Sequence, residues 1–206
     1  MKIVFISDTH TKHNEIDIPN GDMLICSGDF TNVGSENDVR KFNKWMGTLP
    51  HKHKIAISGN HDFFFERCER KWIDSICTNF TYIKDESIVV EGLKIYGSPW
   101  TPKFGEWAFS YPRKSEQLKL IWDMIPEDTD ILVTHAPPYG TLDACPLPQG
   151  CEHLADRVLV VKPKIHTFGH IHEGAGTVIK DGIQYVNASC LDGMYQAVND
   201  PIVIDI

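Results

Sequence analysis

The chain has 206 residues, is 42% hydrophobic, and carries 28 acidic against 20 basic side chains, a formal net charge of −8. This is ample apolar material for a packed core, and residues 1–206 are expected to form a single domain. The negative balance disfavours a protein that grips nucleic acid or an anionic membrane through bulk electrostatics. No apolar run approaches the ~20 residues that a membrane-spanning helix needs, and the opening run 3–6 is too brief for a signal peptide. The six cysteines form no C-x-x-C pair. They fit reduced, structural thiols in a cytoplasmic protein.

Strands are expected at 2–7, 22–27, 54–58, 87–91, 93–97, 130–134, 164–168, 176–180, 183–187 and 201–206. Glu91-Gly92 and Asp181-Gly182 supply tight-turn chemistry, so the strands on either side of each pair should form hairpins. Ser35, with Asp38 three residues on, resembles a capping box. The apolar face of Val39, Phe42, Trp45, Met46 and Leu49 then marks a helix that Pro50 stops. A second helix is expected over 63–77. A third opens at Ser115 and carries Leu118, Ile121, Trp122 and Ile125, and a fourth covers 152–160 before Pro163. Strands alternating with helices define an α/β protein, and hairpins make its sheets mixed. The Pro- and Gly-rich stretches 98–112 and 136–150 read as long loops of the kind that contact substrates.

Five of these strands are followed by side chains able to bind a metal. Asp8 and His10 follow the first, Asp29 the second, Asn60 and His61 the third, His135 the sixth, and His170 and His172 the seventh. In open α/β sheets binding sites lie beyond the carboxyl ends of the strands, so residues far apart in sequence can meet in one crevice. Gly28, Gly59 and Gly169 precede three of these positions and are expected to permit sharp turns there. A donor set of oxygen and imidazole suits manganese, iron or zinc better than magnesium or calcium. Two such ions, bridged by a carboxylate, form a centre for displacement at phosphorus. They also let an anionic phosphate bind to an acidic protein.

The segments Asp8-Thr9-His10, Gly28-Asp29, Gly59-Asn60-His61-Asp62, Thr134-His135 and Gly169-His170-Ile171-His172 resemble the signature motifs of the calcineurin-like metallophosphoesterase superfamily. SDTH, GDFT, VRKFNKWMGTLP, GNHD, IYGSPW, THAPP, FGHIHEG, YVNAS and PIVID extend the likeness over nearly the whole chain. They are similar to the small metallophosphoesterase-domain-containing proteins, a group with cyclic-nucleotide phosphodiesterase activity. The resemblance implies two mixed β-sheets packed as a sandwich and flanked by helices, the four-layer α/β/β/α metallophosphoesterase fold. It further implies two divalent metal ions, one held by Asp8, His10, Asp29 and His172, the other by Asp29, Asn60, His135 and His170, with a bridging hydroxide as nucleophile. His61 takes the place of a non-ligand histidine that assists the leaving oxygen, and Asp62 is a candidate to orient it. The protein-phosphatase subgroup carries Asp-Arg-Gly after the second motif, whereas this chain reads Phe30-Thr31-Asn32-Val33-Gly34. That departure argues against a phosphoprotein substrate.

The expected activity is therefore a phosphodiesterase acting on a small phosphoester, such as a cyclic nucleotide. A phosphomonoesterase or nuclease using the same site, or a weakly catalytic nucleotide-binding scaffold, is the alternative. His13, His51, His53, His153 and His166 are read as solvated or helix-end residues. Trp45 and Phe63 to Phe65 are read as core. Trp100, Phe104, Trp107, Phe109 and Tyr111 could stack a base or pack over the sheet edge. Arg67, Arg70, Arg113 and Arg157 could clamp a phosphate, though exposed arginines usually do nothing so specific.

Overall fold

The computed structural model describes Met1–Ile206. Strand β1 (Lys2–Ile6) buries Ile3, Val4, Phe5 and Ile6 completely. A strand apolar on both faces is stable only between two layers. It lies in a five-stranded sheet with β2 (Met23–Cys26), β3 (His53–Ala56), β4 (Thr81–Tyr82) and β13 (Ile202–Asp205), ordered β13-β1-β2-β3-β4. Strands β1 to β4 run parallel and β13 antiparallel at the edge. The second sheet is ordered β11-β12-β10-β9-β6-β5, from β5 (Glu86–Val90), β6 (Leu93–Ser98), β9 (Ile131–Thr134), β10 (Ile165–Phe168), β11 (Gly176–Lys180) and β12 (Ile183–Asn187). Its four central strands are parallel, and both edges are closed by hairpins. Those hairpins turn at Glu91-Gly92 and Asp181-Gly182, with φ of 49° and 82°, and 54° and 79°. Positive φ at both central residues is what a type I′ turn requires.

Alternation along the strands sorts the apolar residues into layers. Ile3, Phe5, Met23, Ile25 and Ile55 meet Ile95, Ile131, Val133 and Ile165 between the sheets. Val4, Ile6, Leu24 and Ala56 face outward, against α1 (Glu36–Thr48), α2 (Phe63–Arg67) and α3 (Arg70–Ile76). On the opposite side Leu132, Phe168 and Tyr185 pack on α4 (Glu116–Asp123) and α5 (Glu152–Val161). The result is the expected helix, sheet, sheet, helix sandwich.

Local chemistry sets the helix ends. Ser35 and Ser115 each accept a backbone N–H three residues on, and α5 stops where Lys162 turns left-handed (φ 49°) ahead of Pro163. The helix expected over 63–77 is two helices. Cys68 and Glu69 are extended between them, and Arg70 is pinned to Asp74, Glu86 and the Tyr82 carbonyl. That anchors α3 to the neighbouring strands and redirects the chain. The short pair β7 (Thr101–Pro102) and β8 (Ser110–Tyr111) falls inside the expected loop 98–112. His13, His51 and His166 are not solvated, being only 3%, 3% and 0% exposed. His13 packs against Phe42 and Trp45, the His51 ring bonds the Pro19 carbonyl, and that of His166 bonds Thr134.

Candidate metal centre

Every metal-ligand candidate sits one to four residues beyond the C-terminal end of a parallel strand. The first sheet presents Asp8 and His10 after β1, Asp29 after β2 and Asn60 after β3. The second presents His135 after β9, and His170 and His172 after β10. Because the sheets face each other, the two sets converge across one edge of the sandwich. Asp8, His10, Asp29 and His170 have φ of 54°, 40°, 51° and 68°, a left-handed backbone that costs roughly 1–2 kcal/mol per non-glycine residue. Such strain persists only where the surroundings over-determine it.

The glycines contribute in two ways. Gly28 has φ of 102°, a turn conformation. Gly59 and Gly169 instead allow close approach. A Cβ on Gly59 would lie 2.3 Å from Asp29 Oδ1, and one on Gly169 would lie 2.0 Å from Asp8 Oδ2.

Potential ligand atoms within 4.8 Å of one another come from three overlapping groups: Asp8, His10 and His172; His10, Asp29 and His61; and Asp29, His135 and His170. Asn60 joins the third through its Oδ1, 2.9 Å from His135 Nε2. Asp29 lies between the outer groups, its Oδ2 3.2 Å from His135 Nε2 and 3.9 Å from His10 Nε2. Backbone carbonyls orient the rings. His135 Nδ1–H donates to Ser27 O at 2.9 Å, His172 Nδ1–H to Asp192 O at 2.8 Å, and His61 Nδ1–H to Asn32 O at 2.7 Å. A carbonyl only accepts, so each Nδ1 carries the proton and each Nε2 is left for the cleft.

The electrostatics of this cluster call for cations. Asp8 and Asp29 are buried, and their only ion-pair partners are histidines. Burial alone would raise both carboxyl pKa values. The surrounding imidazoles outweigh it, chiefly His172 for Asp8, held well below the carboxylate range, and His135 for Asp29, held at about 2. Burial likewise opposes charge on His135 and His172, yet the carboxylates raise each to about 9. For His10 and His170 burial dominates, pushing them down to about 4 and about 3. Both ring nitrogens of His10 are buried without a hydrogen-bond partner, an arrangement costly unless a ligand completes it. Two carboxylates, an amide oxygen and four imidazoles around unpartnered nitrogens therefore fit divalent cations, which would take the place of protons.

Asp62 does not orient His61. It is fully buried, and its carboxylate accepts from the backbone N–H groups of Asp29, Thr31 and Gly59 and from the Thr31 hydroxyl. It ties the second motif to the third. His61 is held by the Asn32 carbonyl and by Trp107, whose ring stacks on it at 4.0 Å with an interplanar angle of 25°. No sequence signal points to Tyr195, whose ring packs against His10 at 4.8 Å and His172 at 5.4 Å. None of the four arginines reaches the cluster. Arg67 lies over Phe63, Arg70 and Arg113 are engaged by acidic side chains and carbonyls, and Arg157 bonds the Ile125 carbonyl.

Fold and cluster together define a metallophosphoesterase. Residues 1–174 match the family model for calcineurin-like phosphoesterases, and the chain belongs to that family. It is a metal-dependent phosphoric ester hydrolase. Metallophosphoesterase domain-containing protein 1 of Homo sapiens is 42% identical over 231 residues, covering 100% of this chain and 71% of the relative; the same protein of Mus musculus matches equally. Among solved structures, Phosphopantetheinyl Hydrolase (PptH) from Mycobacterium tuberculosis superposes with a TM-score of 0.62 at 16% identity, over 94% of this chain and 90% of that one. A protein of Thermus thermophilus gives a TM-score of 0.60 at 15% identity, over 90% and 88%. These structural likenesses speak to the fold alone. No helix is long and apolar enough to cross a membrane.

Proposed function

We propose that this chain is a dinuclear phosphodiesterase acting on a small phosphodiester such as a cyclic nucleotide. The observation that carries the reading is the shared position of Asp29 between two ligand groups. Asp8, His10, Asp29 and His172 would hold one ion, and Asp29, Asn60, His135 and His170 the other. The mixed donors favour manganese, iron or zinc. When bound, such ions supply Lewis acidity, which lowers the pKa of water and offsets phosphate charge.

The chain's own residues do the rest. Asp29 and Asp8 fix the spacing of the centre from buried, hydrogen-bonded positions. His61, with Nδ1–H committed to Asn32 O, keeps Nε2 for the proton needed by the leaving oxygen, a role typically worth ~10²–10⁴ in rate. Residues 1–206 act as one domain on this reading. β13 lies beyond the span of the family match yet completes the first sheet against β1.

Metal analysis combined with hydrolysis of bis-p-nitrophenyl phosphate, p-nitrophenyl phosphate and cyclic nucleotides tests the proposal. Wild type should prefer diesters, Asp29→Asn should lose metal and rate together, and His61→Ala should keep its metal while turning over slowly. Unchanged turnover in both variants would remove the mechanism, and a preference for monoesters would remove the diester assignment.

A further inference from the structure

A cavity of about 420 Å³ lies between α1 and the segment that follows β1, and no metal-ligand candidate lines it. Thr11 and His13 border it on one side, and Asp38, Lys41, Lys44 and Trp45 on the other. Its volume is within the range of small-molecule sites.

His13 is buried there with an unspent ring. It is 3% exposed, yet neither ring nitrogen bonds any group of the protein, and Nδ1 is sealed from solvent. Burial lowers its pKa to about 4, so at neutral pH the ring carries a single N–H. A sealed N–H without an acceptor is a costlier arrangement than a sealed lone pair. The proton therefore belongs on Nε2, the nitrogen left open to the cavity.

The charges beside His13 do not balance. Asp38 accepts from Ser35 Oγ at 2.7 Å and from Lys41 Nζ at 3.1 Å. Lys44 has neither an ion-pair nor a hydrogen-bond partner, so the cavity keeps one uncompensated cation in a chain whose net charge is −8. The Thr11 hydroxyl accepts from Asn32 Nδ2 at 3.3 Å and keeps its own hydrogen free. An imidazole N–H, a hydroxyl and two ammonium groups thus border one space from two segments of chain. A tetrahedral oxyanion, which accepts from every side, matches donors placed in this way.

We infer that this cavity is a second site for phosphate, separate from the metal centre, in which Lys44 supplies the counter-charge and His13 Nε2–H, Thr11 and Lys41 complete the donor shell. Free phosphate and the phosphate group of a monoester present the same oxygens to it. The site also adjoins the cluster. Thr11 follows His10 directly, and Asn32, whose side chain holds the Thr11 hydroxyl, holds His61 Nδ1–H through its carbonyl. An occupant that draws on the Thr11 hydroxyl pulls on Asn32, so occupancy should slow turnover. That consequence rests on the role proposed for His61; the binding site does not.

Two of the five tryptophans serve as reporters for the test. Trp45 lines the cavity, and Trp107 stacks on His61 at the metal centre. Their indole N–H signals, assigned from Trp45→Phe and Trp107→Phe, follow both places in one NMR spectrum of zinc-loaded, nitrogen-15-labelled protein. The probes are inorganic phosphate and methylphosphonate, a monoester mimic, and the tighter of the two names the source. The Trp45 signal should move with a midpoint of its own, and sodium chloride at matched ionic strength should leave it in place. Lys44→Gln, at an exposed position of α1, should weaken the Trp45 response about 10-fold or more, the scale of one hydrogen bond to a charged group. The Trp107 response should not change. A Trp45 signal that stays still while Trp107 saturates, that follows chloride equally, or that keeps its midpoint in Lys44→Gln overturns the site. Phosphate should also inhibit diester hydrolysis with a noncompetitive component that Lys44→Gln lacks, and identical inhibition of the two proteins overturns the link to His61. The binding arm reads the same in a protein that hydrolyses no diester, so its failure and that of the activity reading are separable.

Discussion

Replacing Asp62 with asparagine separates a role in chemistry from a role in building the site. Oδ2 accepts from Asp29 N at 2.9 Å and Gly59 N at 2.8 Å, and Oδ1 accepts from Thr31 N at 3.0 Å and Thr31 Oγ1 at 2.7 Å. An amide keeps one oxygen and turns an NH₂ towards the other pair of donors. Two buried donors are then unsatisfied, at about 1–3 kcal/mol each. Part of this is offset, because burial and the neighbouring Asp29 carboxylate raise the Asp62 pKa to about 7, and the amide removes that charge. A net loss of roughly 2–4 kcal/mol remains, which for a chain of this size lowers Tm by about 5–15 °C. Since two of the four donors are the backbone of Asp29 and Gly59, metal affinity should fall as well, with activity per bound metal largely kept. Differential scanning fluorimetry, metal analysis and initial rates at saturating metal check the three consequences. Wild-type Tm and metal content alongside a rate loss of 100-fold or more would refute the scaffold role and return Asp62 to the chemistry.

Three further perturbations probe the same framework. Gly59→Ala places a Cβ 2.3 Å from Asp29 Oδ1 and 2.6 Å from His135 Cε1, so it should cost about 1–3 kcal/mol and deplete metal, and a fully loaded variant of wild-type Tm would contradict the packing. Trp107→Ala removes a stack worth about 0.5–1.5 kcal/mol and should slow turnover up to ~10-fold with metal content unchanged, Trp107→Phe recovering most of it; metal loss in place of slow turnover would contradict a positioning role. Burial lowers His166 from 6.5 to about 3. The unfolded chain therefore takes up the proton first, so the stability this group contributes is complete above pH 6.5 and is lost as pH falls towards 3. At pH 5 the loss is about 2 kcal/mol. Urea denaturation should show a shallower decline between pH 7 and 5 for His166→Gln than for wild type, and parallel declines would exclude His166 as the source.

The sheet architecture and the ligand candidates were legible because both depend on local signals. Strand runs apolar on both faces announce burial between layers, and Asp8, Asp29 and His135 each follow such a run, while Asn60 and His170 follow strands that also carry polar residues, His53-Lys54 and His166-Thr167. The hairpin turns were legible for the same reason, Gly92 and Gly182 accepting positive φ freely and Asp181-Gly182 being one of the pairs a type I′ turn prefers. What escaped depends on tertiary contact. Asp62 adjoins His61 in sequence, but its side chain reaches back to residues 29 and 31. Tyr195 meets His10 across 185 positions of chain, with no motif to mark it. The break between α2 and α3 has neither glycine nor proline to signal it and follows from the anchorage of Arg70. The burial of His13, His51 and His166 escaped because a histidine does not show in sequence which way it points: His13 has polar neighbours yet packs on Phe42 and Trp45, and alternation along β10 sets His166 beside Leu132 under the helical layer.

The cluster is expensive for the fold to keep. Four of its residues sit in left-handed backbone, two carboxylates are buried without lysine or arginine, and both ring nitrogens of His10 lack partners. The restraints on it point to pre-organisation. Asp62 joins the second and third motifs, Ser189 Oγ and the His170 N–H hold Asp8, and three carbonyls orient His61, His135 and His172. Apart from the Asp62 contact with Gly59, each of these partners comes from another loop, so strain at one strand end is borne by its neighbours across both sheets. A centre held in this way would not need to assemble around a cation, and the energy released on binding one would offset the cost of burying Asp8 and Asp29. Catalytic geometry and stability are thus coupled at Asp29. On the proposed reading it would serve both halves of the centre, and its carboxylate also accepts the backbone N–H of His61 at 2.8 Å, so a disturbance there would reach the metal ligands and His61 together.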